Sequence, residues 1–274
     1  MERKNTEEEL RELGIKPVGG QHFLDTEIGI RELLSEADTR GKTVLEVGSG
    51  TGNITGEIDA EKIYAVEKDT VLADSLDGQG FEVLNQDFLE MDIPEDVEYL
   101  VGNLPFEISS EILERVGEEQ LPATFIVQEE LADKVVASLG DPDYNFFSFL
   151  INYYFVPVKT GVIASGNYVP EPEVETAVLK LVPNKQRHGV EDEEKFLEFA
   201  KALFTHKRKK VRNAFVDARN ILGIEKDWAK KVRDELPNSE ERVNRLEIVE
   251  MKEVFRKFRE LEQEKLNIKD RKKK

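Results

Sequence analysis

Five short apolar segments alternate with amphipathic stretches between residues 43 and 139, and this alternation restricts the folds open to the chain. Segments such as 108–116 and 129–139 place apolar residues at helical spacing. Strands that alternate with helices predict an α/β fold, in which a parallel sheet is covered on both faces. The predicted strands are 43–47, 62–66, 81–84, 98–101 and 124–128, and the later apolar runs 145–155 and 176–182 are expected to complete the sheet.

The C-terminal part of the chain has a different pattern. The stretch PNKQRHG, residues 183–189, is predicted to be a linker, and beyond it only helical patterns occur. We therefore predict a first domain over residues 1–183 and a helical domain over residues 184–274. The final residues, KDRKKK, are predicted to form a disordered basic tail.

Charge is distributed unevenly along the 274 residues. Residues 1–183 contain 13 Lys and Arg against 38 Asp and Glu, whereas residues 184–274 contain 26 against 19. The net charge of −18 therefore hides a basic C-terminal part, and the asymmetry indicates different partners for the two regions. The acidic part serves solubility or adapts the protein to a salty cytoplasm, and composition leaves both interpretations open.

Composition excludes several classes of protein. The chain has no cysteine, which excludes disulfides, thiolate metal sites and cysteine nucleophiles. None of its three histidines has a ligand-like spacing, so we predict no metal site. No apolar stretch is long enough to cross a bilayer, and the first residues lack the apolar core of a signal peptide. We expect a cytoplasmic protein that does not bind membranes.

A glycine-rich loop, 46-EVGSGTGN-53, follows the first predicted strand. Glycines at 48, 50 and 52 let the backbone turn sharply and approach a ligand closely. The dinucleotide-binding fingerprint would need glycine at position 53, which is Asn. The form E-x-G-x-G-x-G is more typical of the S-adenosylmethionine loop of Rossmann-like methyltransferases, although a plain glycine-rich turn remains an alternative.

Three further groups follow the next predicted strands. Glu67 ends the second strand, where a carboxylate can accept hydrogen bonds from ribose hydroxyls. Asp87 follows the third and is placed either to accept from an adenine amino group or to cap a helix. The fourth strand runs into 103-NLPF-106, where Pro105 ends the ladder because it has no N–H to donate. Since the carboxyl ends of parallel strands meet at one sheet edge, these groups should converge on a ligand there.

Six motifs occur in a characteristic order along the chain. They are GQHFL (20–24), the glycine loop with Glu67 and Asp87, NLPF (103–106), YVPEPEVETAVLKLV (168–182), FTHKRKKVRNAF (204–215) and RVNRLEIVEM (242–251). In this order they resemble the ribosomal RNA adenine N6-dimethyltransferases, the KsgA family, over about residues 17–250. The resemblance implies a Rossmann-like S-adenosylmethionine-dependent methyltransferase domain followed by a small C-terminal all-helical domain.

The resemblance also implies roles for individual residues. Asn103 and the carbonyl of Leu104 would accept hydrogen bonds from the adenine amino group, and Pro105 would fix the turn that presents that carbonyl. Phe106 and Tyr168 would stack on the flipped base. The implied cofactor contacts, to S-adenosyl-L-methionine, come from Gln21, His22, Leu24, Gly48, Gly50, Glu67, Asp87 and Asn103.

Three of these positions depart from the usual family residues. His22 stands where Asn is usual, so the contact of its side chain with the cofactor is open, whereas the backbone of this segment can still make its contact. Phe106 replaces Tyr and Tyr168 replaces Phe, and in both cases the aromatic ring is kept.

A basic run, 207-KRKKVR-212, places five cations in six residues on a predicted helix. Such a run is either a solvated face or a phosphate-binding surface, and the basic C-terminal part favours phosphate. We predict RNA contacts from Lys207, Arg208, Lys209, Lys210 and Arg212.

The implied substrate is a pair of adjacent adenosines near the 3′ end of small-subunit rRNA in a pre-ribosomal particle, methylated by a monomer. One alternative is an adenine methyltransferase of the erythromycin-resistance type, which acts on large-subunit rRNA. DNA is disfavoured, because DNA adenine enzymes usually begin the tetrapeptide with Asp. A third alternative is a ribosome-assembly factor that binds pre-rRNA without catalysis.

Overall fold

The structure is a computed structural model that describes residues 5–17, 20–185 and 190–271. The chain divides into two compact units, one of residues 1–136 with 154–184 and the other of residues 137–153 with 185–274. Within the described residues, no helix is long and apolar enough to span a membrane.

The first unit is built on a seven-stranded sheet in the order β4-β3-β2-β5-β6-β9-β7. The five strands from β4 to β6 in this order run parallel, and β9 is antiparallel to both of its neighbours, β6 and β7. The strands are β1 Phe23–Leu24, β2 Thr43–Val47, β3 Lys62–Val66, β4 Glu82–Leu84, β5 Tyr99–Asn103, β6 Ala123–Gln128, β7 Phe155–Ile163, β8 Tyr168–Val169 and β9 Thr176–Pro183, with β1 and β8 forming a separate two-stranded sheet.

Central strands are buried on both faces, which explains their nearly continuous apolar sequences. Four of the five residues of β2 are buried, and so are Tyr99 to Gly102 of β5. The helices of this unit, which include α4 and α5 where the sequence predicts helices, are α1 Thr6–Glu12, α2 Glu27–Glu36, α3 Thr70–Leu76, α4 Ser109–Glu119 and α5 Glu129–Val136. The adjacent carboxyl ends of β3, β2 and β5 bring the loops after these strands together at one edge.

The prediction of a strand over residues 145–155 is wrong. Residues 146–154 form helix α6, and only Phe155 belongs to a strand. Asn145 caps the helix, because its Oδ1 accepts from the backbone amides of Phe147 (2.7 Å) and Ser148 (3.2 Å). An apolar run that is buried on several sides has no visible period, so its composition favoured a strand.

The second unit is helical and has an aromatic core. Phe149 packs on Phe196, and Phe199 packs on Phe255 and stacks on Phe258, with ring centroids 5.0–6.2 Å apart. The helices that form this unit, along with residues 146–153 of α6 Phe146–Tyr154, are α7 Glu193–Phe204, α8 Val211–Asp217, α9 Lys226–Val232 and α10 Ile248–Arg271.

Two sequence predictions fall partly outside the described residues. Pro183 of the predicted linker ends β9, and residues 186–189 lie outside the description. Helix α10 continues through residues 269–271, which the sequence assigns to a disordered tail, and residues 272–274 lie outside the description.

Candidate active site

A cavity of about 370 Å³ lies at the carboxyl edge of the parallel strands. This is the edge where open α/β sheets bind ligands, and the volume suits a small organic cofactor. The structure brings most of the predicted cofactor-binding and catalytic residues together in its lining, namely Gln21, His22, Leu24, Gly48, Gly50, Glu67, Asp87, Asn103, Leu104 and Pro105.

The glycine loop needs its glycines for two different reasons. Gly48 has φ +73, a conformation that costs other residues about 1 kcal/mol or more, and a Cβ there would meet nothing closer than 3.8 Å. Gly50 has φ +54, and its Cβ would lie 2.9 Å from the ring of Phe23. Gly50 therefore makes room for an aromatic ring of the same chain.

Glu67 is buried beneath this loop. Its Oε2 accepts from the amide of Gly50 (2.8 Å), and its Oε1 accepts from the amide of Asp69 (2.9 Å). Burial raises the pKa of Glu67 above its usual range, although these amide hydrogen bonds oppose the shift. Each carboxylate oxygen keeps a second lone pair, so the group can still accept from a ribose hydroxyl.

Asp87 caps the turn that follows it and also pairs with a lysine. Its Oδ1 accepts from the amide of Leu89 (3.0 Å), as a capping residue does. Its Oδ2 pairs with Nζ of Lys68 (2.6 Å), and this hydrogen bond holds the pKa of Asp87 below its usual range. The guanidinium of Arg115 donates to the carbonyls of Phe88 and Met91 and so fixes the loop that carries Asp87.

The Asn103 amide is held in one orientation. Its Nδ2 donates to the carbonyl of His22 (2.7 Å), so its Oδ1 is the end left to accept. That oxygen is buried and has no hydrogen-bond partner among the described residues. A buried acceptor without a donor costs about 1–3 kcal/mol, and such a group calls for a ligand that supplies the donor.

The turn after Asn103 is stabilised from behind. The carbonyl of Pro105 accepts from the amide of Ile108 (3.2 Å) and from Oγ of Ser109 (2.7 Å). Phe106 is half-buried and stacks on the ring of His22, with centroids 5.0 Å apart. Two of the three departures from the family pattern therefore contact each other.

The structure does not bring Tyr168 to the cavity. Its ring is 4 % exposed and packs in the main hydrophobic core, and its hydroxyl lies 2.5 Å from Oγ1 of Thr176. Burial raises the pKa of Tyr168 to about 12. A ring buried in this way offers no face to a base, which argues against the stacking role that the sequence suggests for it.

The basic run lies in the second unit, where residues 207–210 form the connection between α7 and α8 rather than a helix, and Arg212 lies in the first turn of α8. Nζ of Lys207 donates to the carbonyls of Pro142 (2.7 Å) and Tyr144 (2.9 Å). Three other cations of the run form ion pairs: Lys209 pairs with Asp217, Lys210 with Glu240, and Arg212 with Asp234 and Glu240. Lys209 and Lys210 are exposed, and Arg212 is half-buried. Arg208 is exposed and makes no ion pair within the described part of the chain.

Residues 14–258 match the family model described as ribosomal RNA adenine dimethylase. This chain belongs to that family. Dimethylases of the family are S-adenosylmethionine-dependent methyltransferases, so the chain is an rRNA methyltransferase, as the six motifs predict.

Named relatives of this dimethylase come from archaea and bacteria. A probable ribosomal RNA small subunit methyltransferase A of Methanosarcina acetivorans is 36% identical over 229 residues, which cover 80% of this chain and 83% of the relative. The ribosomal RNA small subunit methyltransferase A of Clostridioides difficile is 37% identical over 218 residues, which cover 71% and 74%.

Solved structures confirm the fold of the dimethylase. A dimethyladenosine transferase from Plasmodium falciparum has a TM-score of 0.77 at 21% identity, and covers 87% of this chain and 98% of its own. The 23S rRNA methyltransferase ErmE has a TM-score of 0.60 at 21% identity, covering 86% and 98%. The predicted Rossmann-like methyltransferase domain with a helical C-terminal part is therefore confirmed.

Sequence reasoning missed several residues of the site. Lys68 and Arg115 shape the Asp87 loop, but a single cation among many gives no signal in a sequence. Asn53 stands out in the sequence only because the dinucleotide-binding fingerprint would have glycine there. Its side chain donates a hydrogen bond to the carbonyl of Leu24, in the segment of residues 20–24 that lines the cavity.

Proposed function

We propose that this dimethylase transfers methyl groups from S-adenosyl-L-methionine to N6 of two adjacent adenosines near the 3′ end of small-subunit rRNA, during ribosome assembly in the cytoplasm. The buried, unpartnered Oδ1 of Asn103 at the edge of the cavity carries the proposal. The names of the archaeal and bacterial relatives support the small subunit as the substrate.

The cavity residues fit the cofactor. Glu67 would accept from the ribose hydroxyls, and Asp87 would accept from the adenine amino group. Lys68, whose side chain is 75% exposed, pairs with Asp87, and an exposed ion pair of this kind contributes little to stability, so an amino group can replace the lysine at little cost. When bound, the sulfonium supplies an electrophilic methyl group.

The chain's own residues hold the target amine. Asn103 Oδ1 and the Leu104 carbonyl accept from N6–H, which draws the nitrogen toward a tetrahedral shape with its lone pair directed at the methyl group. Phe106 offers its ring to the base, with His22 stacked beside it. Positioning of this kind supplies much of the acceleration. The basic run at 207–212 is proposed to contact rRNA phosphates, and the chain is proposed to act as a monomer on a pre-ribosomal particle.

Calorimetry tests the cofactor. Asn53 stands where the dinucleotide fingerprint needs glycine, so S-adenosylhomocysteine should bind and NAD should not. Tight binding of NAD would overturn the assignment.

Incubation with labelled S-adenosylmethionine and immature small subunits, followed by mass spectrometry of the rRNA, tests the substrate. Two dimethylated adenosines near the 3′ end are expected. Methylation of large-subunit rRNA would favour the erythromycin-resistance type, and rRNA binding without methylation would favour an assembly factor.

A further inference from the structure

Residues 20–24, which we call the strap, cross the cavity that is proposed to hold the cofactor. Gln21, His22 and Leu24 line the cavity, and the ring of Phe23 lies on Gly50. A bound molecule beneath the strap therefore contacts it directly, and cannot leave without breaking those contacts.

Amide side chains hold the strap from two sides of the cavity. Asn103 Nδ2 donates to the carbonyl of His22, as described above. On the other side, Asn53 Nδ2 donates to the carbonyl of Leu24 (3.1 Å) and to Oγ1 of Thr6 (2.9 Å). The two hydrogens of the Asn53 amide thus join the glycine loop, the strap and helix α1.

The Asn53 contacts are made to buried residues and continue beyond the strap. Leu24 is 2% exposed and Thr6 is fully buried. Thr6 Oγ1 in turn donates to Asp25, the first residue after the strap. A glycine or alanine at position 53 would remove the hydrogen bonds that Asn53 donates to Leu24 and Thr6, so this position has a chemical requirement of its own.

We propose that Asn53 is a positioning residue that latches the strap over the bound cofactor and sets how fast the cofactor leaves. The inference rests on the proposed function, because it assumes that S-adenosylmethionine and its product occupy this cavity. Asn53 does not reach the target amine in this role. Its loss should affect cofactor retention and leave methyl transfer unchanged.

The test compares Asn53→Ala, Thr6→Val and the wild type. Asn53→Ala removes both donated hydrogen bonds, whereas Thr6→Val keeps the bond to Leu24. We expect S-adenosylhomocysteine to dissociate about tenfold faster from Asn53→Ala in stopped-flow displacement, with Thr6→Val intermediate. The single-turnover methylation rate at saturating cofactor should stay within about twofold of the wild type.

Gln79→Ala is the matched control, because it removes an exposed amide that donates to the carbonyl of Ser75 (3.0 Å) in the same unit, away from the strap. It should leave dissociation unchanged. Thermal melts verify that each variant is folded.

Hydrogen exchange of the ligand-free protein tests the latch without a cofactor. The amides of residues 23–25 should exchange faster in Asn53→Ala than in the wild type. If the wild type failed to bind S-adenosylhomocysteine, the proposed function would fail and exchange alone would decide the latch. Unchanged exchange and dissociation would overturn the latch, and so would a large loss of rate at saturating cofactor.

Discussion

The two ends of the Asn103 side chain have different partners, and this difference defines the central residue-scale prediction. Nδ2 is fixed by the His22 carbonyl, whereas Oδ1 is buried without a partner among the described residues and is the proposed acceptor for the target amine. Because that contact strengthens as the nitrogen becomes tetrahedral, Asn103→Ala should lower single-turnover methylation by about 10²–10³ while rRNA affinity hardly changes.

Phe106→Leu provides the comparison for Asn103→Ala. Loss of stacking affects the flipped base in the ground state and the transition state alike, so its effect should appear in binding as well as in rate. A thermal melt accompanies both variants. If Asn103→Ala methylated immature subunits at the wild-type rate, the Asn103 side chain would not accept a hydrogen bond from the target amine in the transition state.

Glu46, the fourth of the five residues of β2, leads to a prediction about how stability depends on pH. Its carboxyl is fully buried, and burial raises its pKa to about 8, against the opposing hydrogen bond from Thr55. The folded state therefore keeps a proton that the unfolded state releases above its usual pKa. The contribution of this group to the free energy of unfolding is fully present below the usual pKa of a glutamate and is lost as the pH rises from there to about 8. The loss is at most about 1.4 kcal/mol per pH unit.

Glu46→Gln keeps the shape of the protonated acid and cannot ionise. In denaturant melts between about pH 5 and pH 8, the variant's unfolding free energy relative to the wild type should rise steadily with pH. A constant difference across that range would show that Glu46 ionises in the folded protein as it does in the unfolded chain.

The predicted site residues differ in how well the sequence could place them. Glu67, Asp87 and Asn103 follow successive parallel strands, and strand topology alone brings such residues to one edge. Tyr168 has an aromatic motif but no such constraint, and the pairing of β8 with β1 carries its ring into the core. Asn53 could not be assigned, because its partners are 47 and 29 residues away in the chain.

At the scale of elements, the connection between α7 and α8 contains cations with different surroundings. Lys207 donates to two carbonyls of its own unit, so Lys207→Ala should destabilise the protein by about 1.5 kcal/mol. Arg208 is exposed without an ion pair in the described residues, so Arg208→Ala should leave stability unchanged and reduce the salt slope of rRNA binding by about one. Melts and filter binding over a salt series measure the two effects.

An unchanged salt slope in Arg208→Ala would mean that this position is only solvated. Lys209 and Lys210 are the next two positions to test, because exposed ion pairs such as theirs contribute little to stability and would open easily to a phosphate.

The helices and strands were predictable from the sequence where short apolar runs alternate with amphipathic stretches. Strands β2, β3 and β6 closely match their predicted ranges, because a parallel sheet leaves short apolar runs between amphipathic helices. Helix α6 lacked that signal, since its apolar residues face partners on several sides. The only available signal of a helix start was Asn145, whose side chain caps the helix.

At the scale of the whole molecule, the uneven distribution of charge should make stability and RNA binding respond differently to salt. The first unit contains 13 Lys and Arg against 36 Asp and Glu, whereas the second contains 26 against 21. Like charges in the acidic unit repel one another, and added salt screens that repulsion. The phosphate binding proposed for the basic unit should weaken as salt rises.

One salt series should therefore move the two properties in opposite directions. Between about 50 and 200 mM NaCl, the melting temperature should rise by roughly 2–4 °C, which corresponds to about 1 kcal/mol for a chain of this size. Over the same range rRNA affinity should fall steeply, because each phosphate contact releases a counterion on binding. Potassium glutamate provides a second salt of equal ionic strength, so a rise caused by screening should appear in both. A melting temperature that falls with salt would show that ion pairs such as Lys159 with Glu129 and Asp133 outweigh the repulsion among the acids.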